Sequence, residues 1–199
     1  MVAINFQRTL FHICGGLFGT LIALLFPFPE IILISGTFFG IVVTIEIVRQ
    51  RSPEFQAEFS RRFAILMKNR EQEALLGFTW IVSAAFILTF LQDARPIVLA
   101  MLVWTFADPM AMIAGKGLPN VHPIAKGKTI EGSIAFFLMA TLVSALFLLT
   151  TPTTAPLIIM APVIGIVATG TELLSRVIHI DDNFSIPLIV GLVTYFFVL

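Results

Sequence analysis

Residues 97–114 read I-V-L-A-M-L-V-W-T-F-A-D-P-M-A-M-I-A, and the only charge in that run is Asp108. A helix needs about 20 apolar residues to cross a bilayer, and this run approaches that length. It is too continuously apolar for a membrane-barrel strand, which alternates residue by residue. Six further runs read the same way, at roughly 9–27, 30–48, 74–91, 133–150, 157–176 and 184–199. Polar or proline-rich breaks separate several of them: Pro27 to Glu30, Gln92 to Pro96 and Thr150 to Pro156. The expected fold is therefore all-α, a polytopic transmembrane helix bundle of about seven spans. With 58% of its 199 residues hydrophobic, the chain exceeds the usual half of a soluble domain. No polar stretch is long enough for a second domain, so residues 1–199 are read as one membrane unit.

The single cysteine, Cys14, lies in an apolar run and is read as packing, since it cannot form an internal disulfide. No cleaved signal is expected, because the first apolar run ends at Phe26-Pro27-Phe28-Pro29 without a small-residue cleavage site. Net charge is zero and selects no partner; no nucleic-acid partner is expected.

The basic residues set an orientation. If the 49–73 segment is cytoplasmic, 11 of the 12 Lys and Arg lie on or near that side, and Arg95 alone lies outside. That bias is the positive-inside pattern. It puts the N-terminus inside, the C-terminus outside and any polar site toward the cytoplasm. Within 49–73, Ser52 can cap a helix and Pro53 suits its first position. Phe55, Phe59, Phe63, Leu66 and Met67 then share one face, opposite Glu54, Glu58, Arg61 and Lys68. The helix either lies along the membrane surface or packs as a connector.

Ionisable residues inside spans are costly and so mark function. Pro109 removes a backbone donor and disfavours helix at the residue before it, so the helix is expected to break or kink at Asp108. Broken helices in membranes often build ion or substrate sites. The plainer alternative is a buried Asp paired with a basic residue. Downstream, the 115–132 loop reads G-K-G-L-P-N-V-H-P-I-A-K-G-K-T-I-E-G. Gly115 and Gly132 allow close backbone approach. Lys116, Lys126 and Lys128 supply compact positive charge for phosphates. The Gly127-Lys128-Thr129 tripeptide resembles the end of a P-loop, but the first glycine of that motif would fall at His122, and no preceding strand is expected. Carboxylates at Asp108 and Glu131 flanking these lysines suit a magnesium–nucleotide complex. The plainer reading is a basic loop that holds topology.

A third cluster holds Glu172, Arg176, Asp181, Asp182 and Asn183, all near the cytoplasmic boundary. Glu172 and Arg176 share a helix face and could simply pair. His12 lies at the same level, four residues after Arg8. His122 and His179 form no metal-ligand spacing.

Together these motifs resemble the CTP-dependent polyprenol, dolichol and phytol kinases, a group that includes a CTP-dependent diacylglycerol kinase. The similar segments are D-x-x-A-x-x-x-G (Asp108, Ala111, Gly115) and K-T-x-E-G (Lys128, Thr129, Glu131, Gly132). Arg8 and His12 match an N-terminal R-K-x-x-H. Glu71 or Glu73 with Gly77 matches an acidic turn before an apolar helix. Glu172 with D-D-N-F-S-I-P-L matches a late acidic residue and D-N-x-x-I-P-L. The matches run in order from residue 8 to 188. Thr9, Pro119 and Gly127 depart from the pattern, and the loop is one residue short, with Lys126 able to supply the missing charge.

The resemblance implies transfer of the γ-phosphoryl of CTP to the hydroxyl of a membrane lipid alcohol (polyprenol, dolichol, phytol or diacylglycerol). It implies Mg2+ on Asp108 with Glu131 or Asp182, phosphates on Lys116, Lys126 and Lys128, and nucleotide contacts from Gly115, Thr129, Gly132 and Asn183. Glu172 and Asp182 are candidate bases, and Arg8, His12 and Glu73 are further site candidates. Phosphatidate cytidylyltransferases share the two central motifs, but their late H-G-G-x-x-D-R-x-D signature is missing here. The remaining alternative is an ion-coupled transporter, which would place ionisable groups near the midplane with access from both faces. Here the outer side holds only Glu30, Asp93 and Arg95.

Overall fold

A computed structural model describes residues 5–64, 67, 74–125, 127–153, 156–175 and 177–199. Glu71, Glu73, Lys126 and Arg176 lie outside these residues, as do Leu66, Lys68 and Arg70.

The first helix, α1 (Phe6–Leu25), starts where the Asn5 side chain accepts the Arg8 N–H at 3.1 Å. It gives way at Pro27 to α2 (Phe28–Arg51). Ser52 caps α3 (Pro53–Phe63), its hydroxyl accepting the Phe55 N–H at 3.3 Å, and Pro53 takes the first position. The cap and start of the amphipathic helix are as expected; the helix itself ends at Phe63. Next come α4 (Gly77–Leu88), a single 3-10 turn (Thr89–Leu91) and α5 (Ala94–Gly117). The Asp93 carboxylate caps α5 by accepting the Arg95 N–H at 2.8 Å. A small hairpin follows, β1 (Pro123–Ala125) against β2 (Lys128–Thr129), with Gly127 at φ +76° in its turn, where a side chain would be strained. This hairpin is the exception to the all-α expectation. Then come α6 (Ile130–Thr150), α7 (Leu157–Leu174) and α8 (Asp182–Phe197), with α6 capped by Thr129 and α8 by Asp181.

Among the described residues five helices, α1, α2, α5, α6 and α7, are long and apolar enough to cross a membrane. The apolar helices α4 and α8 have 12 and 16 residues. At 1.5 Å per residue they reach about 18 and 24 Å, less than the ~30 Å of bilayer hydrocarbon.

The expected break at Asp108 is absent: α5 runs unbroken through Pro109. Packing explains the tolerance. Pro109 is buried, and α5 is the central helix, flanked by α1, α6 and α8, so neighbours hold the segment whose backbone bond proline removes. Leu99, Ala100, Val103 and Ala107 on α5 are fully buried. Three buried hydroxyls are satisfied within their own helices: Thr20 donates to Gly16 O at 2.9 Å, Thr105 to Met101 O at 2.6 Å and Thr194 to Val190 O at 2.7 Å, while those of Ser133, Thr141 and Ser144 have no hydrogen-bond partner among the described residues. Large apolar side chains such as Ile158, Leu149 and Phe196 point outward, a surface that suits lipid.

A buried ion pair fastens α2 to α4. Glu46 and Arg49 are 3% and 1% exposed, with Arg49 Nη2 2.5 Å from Glu46 Oε1. Arg49 Nη2 also donates to Ala74 O at 2.6 Å, and the Thr79 hydroxyl donates to Glu46 Oε2 at 3.4 Å.

Candidate functional site

Four segments far apart in sequence meet at one end of the bundle. Lys128, on β2, donates both to Glu172 Oε1 at the end of α7 and to Asp182 Oδ2, 3.3 Å away in the first turn of α8. The three side chains are 11%, 2% and 7% exposed. Burial by itself would lower the Lys128 pKa, but Asp182, Glu172 and the more distant Asp108 together hold it above the ordinary lysine value. Glu172 keeps one buried oxygen, Oε2, with no hydrogen-bond partner among the described residues. Asp182 also benefits from the positive end of the α8 dipole. Asp108, Glu172 and Asp182 thus all act on one ammonium.

A second chain of contacts reaches the same place from α1. The His12 ring lies against Trp104, with centroids 3.8 Å apart. His12 Nε2 is 3.0 Å from Trp104 O; a carbonyl only accepts, so Nε2 carries the proton. His12 Nδ1 is 3.9 Å from Asp108 Oδ2. Trp104 Nε1–H donates to Asn183 Oδ1 at 3.0 Å, and Asn183 Nδ2 donates to Asp181 Oδ1 at 2.7 Å. Trp104 and Asn183 thereby link His12 to the start of α8.

Beside this polar cluster opens a cavity of about 840 Å3 between α1, α2, α4 and α5. Among the described residues its lining carries Arg8, His12 and Asp108, with Asn183 beside them and the thiol of Cys14 further along α1. Phe59, Phe63 and Met67 cover that end, so the apolar face of α3 meets a cavity.

Other expected site residues serve the scaffold. Glu131 faces His122, accepting its backbone N–H at 2.9 Å and pairing with Nδ1 at 2.6 Å. It therefore does not join the Lys128 cluster. Thr129 caps α6, its hydroxyl accepting the Gly132 N–H at 3.1 Å. Gly115 and Gly132 let α5 and α6 touch: a Cβ on Gly132 would stand 2.9 Å from Ala111 O. Lys116 is exposed in the last turn of α5.

The structure adds Trp104 and the Glu46–Arg49 pair to the residues of interest. Trp104 lies four residues before Asp108, hence on the same helix face, a signal present in the sequence. Among the described residues no three His, Cys, Asp or Glu side chains converge closely enough to hold a metal as they stand. The Lys128 ammonium fills the space between Glu172 and Asp182. The donor set nonetheless suits a hard divalent cation: two acidic side chains around a cation position, and the orphaned Glu172 oxygen.

No family model matches the chain, and no solved structure matches it. An uncharacterized protein of Rickettsia prowazekii is 27% identical over 186 residues, covering 92% of this chain and 89% of that protein. An uncharacterized protein of Methanocaldococcus jannaschii is 26% identical over 129 residues, 64% of this chain and 62% of that protein.

Proposed function

We propose that this chain is a multi-pass membrane enzyme that transfers the γ-phosphoryl group of CTP to the hydroxyl of a membrane lipid alcohol. Seven spans, an inside N-terminus and a cytoplasmic site complete the reading, with α4 and α8 crossing beside the longer helices. The observation that carries it is the juxtaposition of a buried Lys–carboxylate cluster with the polar end of an apolar cavity. A charged phosphoryl donor and an apolar acceptor can meet there without either changing phase.

Asp108 and Asp182 would hold Mg2+, with Glu172 Oε2 turned to the same space. Bound there, the cation would offset charge on the phosphate oxygens. Lys128 would steady the phosphates. The cavity would hold the alcohol with its hydroxyl beside Asp108 and His12. The alcohol oxygen forms a bond to the γ-phosphorus while the bond to the bridging oxygen breaks. CDP leaves, and the hydroxyl proton passes to the Asp108–His12 pair. Positioning and charge neutralisation provide the acceleration. The preference for cytidine rests on the family resemblance, since phosphate contacts alone do not read a base.

Purified protein supplied with labelled CTP and a lipid-alcohol panel tests this. Label at the γ-position should enter the lipid, label at the α-position should not, and Asp108→Asn should abolish transfer while remaining folded. If α-label enters a lipid phosphate and pyrophosphate accumulates, the enzyme is a cytidylyltransferase. Wild-type turnover in Asp108→Asn removes that residue from the mechanism.

A further inference from the structure

We propose that Lys128 is a tethered counter-ion that bars divalent metal from Glu172 and Asp182 until a phosphate-bearing ligand draws its ammonium away. This rests on the phosphoryl-transfer reading for the phosphate, and it concerns how the site is loaded rather than what it makes.

The carboxylates are the fixed partners. Glu172 sits in the last turn of α7, where its own carbonyl accepts the Ser175 hydroxyl at 2.8 Å. Asp182 opens α8 directly after the Asp181 cap, which accepts the Asn183 N–H at 3.0 Å. Lys128 is the movable one. Its backbone is held by pairing with Ala125 across the hairpin, by Thr129 at the α6 cap, and by the Ile130 N–H donating to His122 O at 2.9 Å. Its four-carbon stem can turn on that fixed base.

The ammonium and a metal ion compete for the same oxygens. Nζ donates to Glu172 Oε1 and to Asp182 Oδ2. A hard cation would bind those oxygens directly, with a second positive charge at hydrogen-bonding distance from the same atoms. Two such charges repel about four times as strongly at the effective dielectric of a protein as in water. The three side chains are nearly buried, so little solvent screens them. Glu172 Oε2 points to the occupant that follows. It is buried and has no hydrogen-bond partner among the described residues. An unpaired buried acceptor is costly, and a cation shared by both oxygens of Glu172 would relieve it. Phosphate oxygens suit a compact ammonium equally well. A phosphate ligand can therefore take Lys128 and release the carboxylates to metal in the same step. Metal and phosphate enter as one complex; metal alone does not.

Manganese binding to the full-length protein in micelles, read from the loss of the free-ion EPR signal, tests this without turnover. Wild type should bind Mn2+ weakly. Lys128→Met should bind it about tenfold or more tightly, since the repelling charge is gone. Adding Asp182→Asn to Lys128→Met should remove the gain. Arg61→Met, 78% exposed on α3, should keep the wild-type affinity. Mg2+ alone should raise the resistance of Lys128→Met to SDS, whereas that of wild type should rise only when CDP accompanies the Mg2+. Should Lys128→Met fail to fold, Lys128→Met/Glu172→Gln, with one fewer unpaired carboxylate, takes its place and should still bind Mn2+ more tightly than wild type. Equal Mn2+ affinity in wild type and the lysine variants, or Mg2+ alone stabilising both alike, makes Lys128 a permanent structural brace and overturns the proposal. A lysine variant that gains Mn2+ affinity, beside a wild type that transfers no label from CTP, leaves the counter-ion standing and refutes the kinase reading. Transfer of γ-label by wild type with no gain in either lysine variant does the reverse.

Discussion

Replacing Lys128 with Met should expose the electrostatics of the cluster directly. The methionine keeps most of the side-chain length and removes the ammonium from between Glu172 and Asp182, both at most 7% exposed. Breaking a buried ion pair from one side costs about 3–5 kcal/mol. Protonation caps the loss, because the structure can neutralise one carboxylate instead. At 1.36 kcal/mol per pH unit and an ordinary carboxyl pKa of about 4.3, that costs about 3.7 kcal/mol at pH 7 and about 1 kcal/mol at pH 5. The variant should therefore lose roughly 3–4 kcal/mol at pH 7, and the deficit should shrink by about 1.4 kcal/mol per pH unit on acidification. The wild-type lysine gives the opposite control. Its pKa is raised, so its contribution is fully present below the ordinary lysine value and is lost only as pH rises through the higher one. Across pH 5–8 the lysine therefore adds no slope of its own. SDS-driven unfolding from a mild micelle, followed by tryptophan fluorescence at several pH values, measures both. Adding Glu172→Gln to Lys128→Met should recover at least half the loss at pH 7. A deficit below about 1 kcal/mol, or one that does not change with pH, refutes the buried-cluster argument.

Glu131→Gln should weaken the His122 contact and keep transfer activity within a few-fold of wild type; activity as low as in Asp108→Asn would return Glu131 to the metal site. Gly132→Ala should cost about 1–3 kcal/mol by overpacking, because the new methyl meets the Ala111 carbonyl rather than a movable side chain; unchanged thermal stability contradicts that contact. In a Cys14→Ser background, Asn120→Cys should react only with reagents reaching the cytoplasm and Thr153→Cys only with reagents outside. Reversed labelling inverts the orientation.

Much of the cluster was legible because spans fix depth. Asp108, Lys128, Glu172 and Asp182 all fall near the same ends of apolar runs, so a bundle must gather them. Depth does not fix azimuth, which is why Glu131 turned to His122 while Lys128, three residues earlier, turned inward. The helical breaks were read well at Pro27 and Pro53, where proline begins a helix, and wrongly at Pro109, where close neighbours on α1, α6 and α8 support the weakened turn. Glu46 escaped notice because α2 runs three residues past its apolar stretch. That extension turns Arg49 from a loop charge into an i, i+3 partner. The apolar face of α3 was evident from its phenylalanines; that it covers a cavity depended on α1 standing apart from the packed pair of α2 and α4.

Arg49 also constrains the order of biogenesis. Glu46 travels on the same helix and can balance its charge as soon as α2 forms, while the Ala74 carbonyl that Nη2 also reaches lies 25 residues later. In a chain that inserts as it is made, the end of α2 stays without that bond until the ribosome has delivered the stretch. At about 5–20 residues per second the wait is on the order of 1–5 s. The groove bounded by α2 and α4 therefore closes late, after the nascent chain has passed its first two helices, with lipid at hand before the groove has a far wall.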